Sequence, residues 1–238
     1  MKKVVHRKDT RGQADHGWLK VNHSFSFANY FNPLRMGYGV LRVLNDDTVA
    51  PKMGFGMHPH QNMEIITIPL VGSLQHKDDL GNKAVIQSGE VQVMSAGKGV
   101  VHSEVNPDLQ TAVNLFQIWI IPNAQDVDPR YDQKKFDALQ KKNTLTTVVS
   151  PKDKPVAGSL WIHQDAYISL GAFEAGKQLN YRAMHEGNGV YLMVINGNVN
   201  VAEETLNSRD ALGVSEFSEL KIDFINETSL LILDIPMN

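Results

Sequence analysis

The chain contains no cysteine. Disulfides, thiolate nucleophiles and sulfur-ligated metal sites are therefore excluded, and a reducing compartment suits such a sequence. It also lacks any apolar run near the roughly 20 residues of a membrane-spanning helix. The two lysines at its start are not followed by the apolar segment of a secretion signal. A cytoplasmic protein that does not engage membrane is the expectation. An excess of charge of one sign is missing too. Lys and Arg number 23 against 26 Asp and Glu, for a net charge of −3, and the basic residues are scattered. Nothing in that balance suggests a nucleic-acid or anionic-lipid surface. What the chain does have is apolar mass: 42% of its 238 residues are hydrophobic, enough for one large or two small domains with a substantial core.

Short apolar runs separated by Gly- and Asp-rich punctuation point to an all-β architecture. Strands are expected over 38–44, 64–71, 91–94 and 115–121, and again over 168–173, 189–195 and 230–235. Residues 23–27 (HSFSF) alternate like a strand with Phe25 and Phe27 on one face, both read as core. Asn45, Asp46 and Asp47 read as a turn, as does the Asp- and Gly-bearing stretch 78–82. Between them, 129–142 (PRYDQKKFDALQKK) sets Tyr131, Phe136 and Leu139 among charges and reads as a short amphipathic helix with Pro at its start.

The second part of the chain reads as a worn copy of the first. Leu70-Val71-Gly72-Ser73-Leu74 matches Ile195-Asn196-Gly197-Asn198-Val199 at an offset of 125, and Gln87-Ser88-Gly89-Glu90-Val91 matches Asn207-Ser208-Arg209-Asp210-Ala211 at 120. A turn five residues shorter accounts for the change of offset.

Chemistry concentrates in two stretches. In 54–72 (GFGMHPHQNMEIITIPLVG), His58 and His60 are two residues apart, so a strand turns both imidazoles to one face, with Glu64 following if the strand stays regular. In 89–106 (GEVQVMSAGKGVVHSEVN), His102 and Glu104 repeat that spacing behind Gly97 and Gly99. Two pairs of hard or borderline donors on two strands are the beginnings of a metal site. The repeat supplies a test. His185 stands opposite His60 while Ala183, Ile222 and Phe224 stand opposite His58, His102 and Glu104, so the copy keeps one donor and is expected not to bind metal. His185 reads as an ordinary hydrogen-bonded histidine, Asn106 as a strand-end turn residue and His76 as a solvent-facing one. His6, His16 and His163 carry no local motif.

HPHxxxE followed by SAGxGxxHSE, behind HSFSFANY and an NDD segment, resembles the pirin family of two-cupin proteins. The resemblance implies a bicupin: two cupin-type β-barrels or sandwiches, an N-terminal domain over 1–135 with the metal site and a degenerate one over 136–238, with a linker at about 123–155 bearing a short helix. It implies His58, His60, His102 and Glu104 as metal ligands, although the general cupin pattern would use Glu64. Here Ser95 stands where that pattern usually has proline, and Glu64 and Gly72 are one residue further apart.

Three imidazoles and a carboxylate suit Fe, Mn, Co, Ni, Cu or Zn, and the resemblance favours Fe(II). The activity it implies is a quercetin 2,3-dioxygenase, acting on a small aromatic substrate and dioxygen. Glu104 would be the general base that takes the flavonol hydroxyl proton. Phe25, Phe27, Phe55 and Trp119 are available to an apolar slot. A metal-binding regulatory protein without turnover is the alternative, and a purely structural ion in a stable sandwich is the third reading.

Overall fold

The computed structural model describes residues 1–237, which form two seven-stranded and two four-stranded sheets. In the first half the large sheet runs Arg130–Lys135, Glu90–Ser95, Glu64–Val71, Val113–Ile120, Leu41–Val49, Leu19–His23, Gly12–Asp15. Its small sheet runs Gly54–His60, Val100–Val105, Ser73–Asp78, Lys83–Gln87. The second half repeats this order except at one edge, where Thr144–Pro151 and Leu160–Ile162 run parallel while Leu19–His23 and Gly12–Asp15 run antiparallel. Its large sheet runs Lys2–His6, Ala211–Ser215, Asn188–Asn196, Thr228–Pro236, Tyr167–Phe173, Thr144–Pro151, Leu160–Ile162, and its small sheet Gln178–Tyr181, Leu220–Phe224, Asn198–Val201, Glu204–Asn207. Among the described residues no ladder joins a small sheet to its large partner, so each half is a sandwich, not a closed barrel.

The two large sheets pack back to back. Strand alternation decides which side chains serve that interface. Ile66 and Ile68 join Ile168, Leu170, Met193 and Leu231 in one core shared by both halves. Ile65 and Thr67, one position out of phase, face the interior of their own sandwich. Each fully buried aliphatic side chain contributes about 1.5–3 kcal/mol, so this shared core is a large part of what holds the halves together.

The edges are exchanged. Lys2–His6, at the very start of the chain, hydrogen-bonds to Ala211–Ser215 and covers an edge of the second half's large sheet. Arg130–Lys135, from the segment between the halves, covers the corresponding edge of the first half through Glu90–Ser95.

Three local expectations are corrected. The single helix expected over 129–142 is a strand, Arg130–Lys135, followed by one 3-10 turn, Asp137–Gln140; pairing with a sheet edge overrides local propensity. Asn45, Asp46 and Asp47 lie inside the strand Leu41–Val49, not in a turn. Two of them find distant side-chain partners: Asn45 meets His23, and Asp46 meets Arg11, Arg209 and Asn114. The strand Leu19–His23 ends where the expected HSFSF strand was to begin. Phe25 is core, as expected, whereas Phe27 turns instead toward Trp119.

The internal repeat has structural counterparts. Gly72 and Gly197 link successive strands with φ of 76° and 92°, a region open to glycine without steric cost. Gly89 and Arg209 occupy the next matching turn with φ of 88° and 70°.

Candidate metal centre

The small sheet of the first half carries the histidines. Gly54–His60 pairs antiparallel with Val100–Val105, setting His58 directly across from His102, and Val100–Val105 pairs on its other side with Ser73–Asp78, setting His102 across from Asp78 and Glu104 across from His76. A register shift between His102 and Glu104 absorbs an extra residue on the histidine strand. Ring centroids of His58 and His102 are 4.4 Å apart, and His60 lies 4.9 Å from each. One ligand atom from each of the three lies within 4.8 Å of the others. His76, His102 and Glu104 form a second such group, sharing His102 with the first. The structure thus brings His58, His60 and His102 together, and groups Glu104 with His102 and His76.

Glu64 belongs to neither group. The histidine strand stops at His60, Asn62 turns the chain with φ of 48°, and Glu64 opens a strand of the large sheet. Its side chain is 1% exposed on the face toward the second half, where Oε2 accepts a 2.7 Å hydrogen bond from Ser95. The expectation that Glu64 shares the histidine face therefore fails at that turn. Burial raises its pKa to about 7, against the opposing pull of Ser95, the His163 backbone and Arg130.

Glu104 is buried against the large sheet. Its Oε1 accepts from Thr67 Oγ1 at 3.2 Å and its Oε2 from Gln117 Nε2 at 2.7 Å. Burial raises this carboxyl to about 7, with those two hydrogen bonds working the other way. Thr67 and Gln117 belong to a row of polar residues facing one another across six strands: His23, Asn45, Gln117, Thr67, Gln92, Gln133.

The imidazoles have set contacts. His58 Nδ1 lies 2.7 Å from the Gly56 carbonyl, which can only accept, so Nδ1 carries a proton and Nε2 is the nitrogen left to bear the lone pair of the neutral ring. Burial, then the charge of His58, lowers the His60 pKa to about 4. Burial followed by the neighbouring imidazoles drives His102 further down. His102 Nε2 is buried with no hydrogen-bond partner. Asp47 Oδ1, Gln92 Oε1 and Trp119 Nε1 are likewise unpartnered within the same sandwich. Unpaired buried polar atoms are costly, and the unpartnered His102 Nε2 beside two further imidazoles fits a site made for an ion. The donor set holds nitrogen and oxygen only, which suits the first-row divalent metals.

A cavity of about 370 Å³ opens beside these residues, lined among others by His23, Phe27, Tyr30, Asn45, Asp47 and Phe55. Phe55 lies 6.3 Å from His58, and Phe27 packs on Trp119, whose ring meets His60 at 4.8 Å. Of the aromatics expected to be available, Phe27 and Phe55 line this cavity, Trp119 stands between it and His60, and Phe25 serves the shared core. Burial, then the charges of Asp46 and Glu104, pushes the Asp47 carboxyl well above its ordinary range.

His76 is fully buried rather than solvent-facing. Its position was readable: it shares a strand face with core residue Leu74, two positions earlier. Asn106 is the expected strand-end turn residue, its amide donating to Val49 and Thr111 carbonyls. His185 is a half-buried histidine near the Glu186 carbonyl. Among the described residues no helix is long and apolar enough to cross a membrane.

The Pirin family model matches residues 4–120, and the model described as Quercetinase C-terminal cupin domain matches residues 147–235. A protein of Escherichia coli (strain K12) named quercetin 2,3-dioxygenase is 39% identical over 232 residues, 98% of each chain. One of Caulobacter vibrioides named pirin-like protein is 39% identical over 233 residues, covering 97% of this chain and 99% of its own. Among solved structures, the bacterial pirin YhhW from Escherichia coli in complex with nickel(II) superposes with a TM-score of 0.93 at 36% identity, covering all of both chains.

Proposed function

Since the chain belongs to the pirin family, we propose that it is a metal-dependent dioxygenase of the quercetin 2,3-dioxygenase type, opening the ring of a flavonol-like aromatic substrate. The observation that carries this reading is the unpartnered, buried His102 Nε2 beside His58 and His60, next to a cavity with aromatic walls. His58, His60, His102 and Glu104 are the ligands we assign, with Fe(II) as the ion. Nickel in a similar protein's structure agrees with a nitrogen- and oxygen-donor site without selecting the metal.

The bound ion supplies Lewis acidity toward a phenolic hydroxyl and redox chemistry toward dioxygen. The remaining work falls to side chains. Phe27, Tyr30 and Phe55 offer flat apolar surface to an aromatic ring, and Asn45 and Asp47 offer polar groups to its hydroxyls. Glu104 would be the base that takes the substrate hydroxyl proton, with Thr67 and Gln117 holding its carboxylate in place. The shut-in position of Glu104 keeps bulk water from competing for that proton.

Anaerobic loading with Fe(II), followed by oxygen-electrode measurement on adding quercetin, tests the reading. Stoichiometric oxygen uptake with carbon monoxide release is expected. No uptake with Fe, Mn, Co, Ni, Cu or Zn would reject it, and tight metal binding without uptake would favour a regulatory protein instead.

A further inference from the structure

Resting on the reading of His58, His60 and His102 as ion ligands, we propose that Asp78 and His76 are positioning residues that set the tautomer in which His102 meets the ion. The chain of contacts leaves little freedom. Asp78 Oδ1 accepts from the backbone N–H groups of Leu80 and Asn82, at 3.1 and 2.8 Å. Its Oδ2 accepts from Asn82 Nδ2 at 2.8 Å and faces His76 Nε2 at 3.0 Å. An ionised carboxylate only accepts, so the His76 proton sits on Nε2 and Nδ1 bears a lone pair. That lone pair faces His102 Nδ1 at 3.4 Å. His102 therefore protonates Nδ1 and donates it to His76, which leaves Nε2 bare, and Nε2 is the atom without a protein partner. The result for His102 is the one the Gly56 carbonyl produces for His58.

Tyr131 fixes the plane of the relay. Its ring stacks on His76 at 4.5 Å and 29°, and its hydroxyl donates to Gln133 at 2.8 Å. Tyr131 comes from Arg130–Lys135, the edge strand supplied by the segment between the halves. The orientation of a ligand in the first half is thus tied to a strand that follows it in the chain. Outer hydrogen bonds of this kind orient ligating imidazoles, and their loss typically lowers metal affinity about 10–100-fold.

Two measurements on the full-length protein test this. In the metal-free state, two-bond proton–nitrogen NMR of the histidine rings should show His102 protonated on Nδ1 and His76 on Nε2. His102 protonated on Nε2 would overturn the proposal. Calorimetric titration with Ni(II) should then show His76→Leu weakened about 10–100-fold. His76→Asn, which can present Oδ1 where Nδ1 stands, should recover affinity to within about threefold, because the outer bond is kept. Asp78→Asn replaces a pure acceptor by an amide, moves the His76 proton to Nδ1, and is expected to weaken binding about tenfold. Unchanged affinity in both His76→Leu and Asp78→Asn would overturn the relay, as would His76→Asn binding as poorly as His76→Leu, the result expected if His76 were itself a ligand. Should His76→Leu fail to fold, Asp78→Asn and the spectrum of the unaltered chain still decide. A protein that shows the assigned tautomers yet takes up no divalent ion would remove the metal reading and leave the relay standing.

Discussion

The two sandwiches share one strand order but are filled with different matter. In the first, Thr67, Gln92, Gln117 and Asn45 face one another across the large sheet; the residues at the same register positions in the second are Leu192, Leu212, Ile232 and Ser169. In the small sheets the exchange is as complete. His58 faces His102 and His60 faces Val100 in the first half where Leu179 faces Ile222 and Tyr181 faces Leu220 in the second, so the counterparts of the two histidines are Leu179 and Tyr181, not the Ala183 and His185 that the sequence offset indicates; Asp78 and His76 give way to Val201 and Val199. The second interior is a hydrocarbon core in which Leu192, Val199, Ile222 and Phe224 belong to one cluster. The fold is therefore satisfied by side chains that only fill space. The imidazoles, amides and carboxylates of the first half are not demanded by the architecture, and their burial must be offset by hydrogen bonds or by a ligand.

Paired truncations at matched positions should break this comparison most sharply. His102→Ala removes one of three clustered imidazoles, and on the proposed ligand set divalent-metal affinity measured by calorimetry is expected to fall at least about 100-fold, because a proposed ligand is lost. Ile222→Ala, its counterpart, should leave that affinity unchanged within error while lowering unfolding free energy in urea by about 2–5 kcal/mol, the range for emptying a buried aliphatic site. If Ile222→Ala also abolished metal binding, the halves would not be energetically separable in the way their interiors suggest.

Glu64 gives the next contrast. Its counterpart is Gly189, so only the first half carries a titratable group at this position on the face between the sheets. Burial raises the folded pKa from 4.5 to about 7. The folded state then keeps a proton that the unfolded chain has released, so stability is greatest below pH 4.5 and is lost as pH rises through the folded pKa of about 7. Glu64→Gln removes the titration and keeps an acceptor for Ser95. Relative to wild type it should gain stability across that interval, reaching on the order of 3–4 kcal/mol at pH 8 from about 1.4 kcal/mol per unit, and show no gain at pH 4. Urea melts of metal-free protein at a series of pH values check this; a gain that is flat with pH would mean that the carboxyl is not proton-coupled to folding.

How far the first half was legible in sequence follows from how local each signal is. The pairing of His58 with His60, and of His102 with Glu104, is a two-residue spacing that any regular strand honours, and the structure keeps each pair on one strand. Glu64 would share that face only if the strand stayed regular, and a single left-handed residue, Asn62, ends the regularity and sends the chain to another sheet. Asn45, Asp46 and Asp47 look like a turn by composition; His23, the partner of Asn45, and Arg11 and Arg209, the partners of Asp46, are remote in sequence, and only the assembled sheet supplies them. Thr67 and Gln117 each sit as a lone polar residue on an otherwise apolar strand face. That is a usable sign in hindsight, but its meaning appears only when the strands lie side by side. Tyr131 reads as a helix residue until the sheet edge beside it is known.

The faintest contrast lies in a turn. Gly89 and Arg209 hold the same place in the two halves and both adopt positive φ, 88° and 70°. Arg209 keeps its conformation while reaching Asn114 and Asp46 in the first half. At Gly89 an added Cβ meets nothing within 4 Å, so the only cost of a side chain there is the backbone's preference. Gly89→Arg is accordingly expected to lose only about 1 kcal/mol in urea unfolding, near the lower end of the left-handed penalty for a residue with a Cβ. Metal affinity should not move. A loss above about 3 kcal/mol would exceed that penalty and mean that the two turns, alike in dihedral angle, are not alike in what surrounds them, which would confine the likeness of the halves to their sheets.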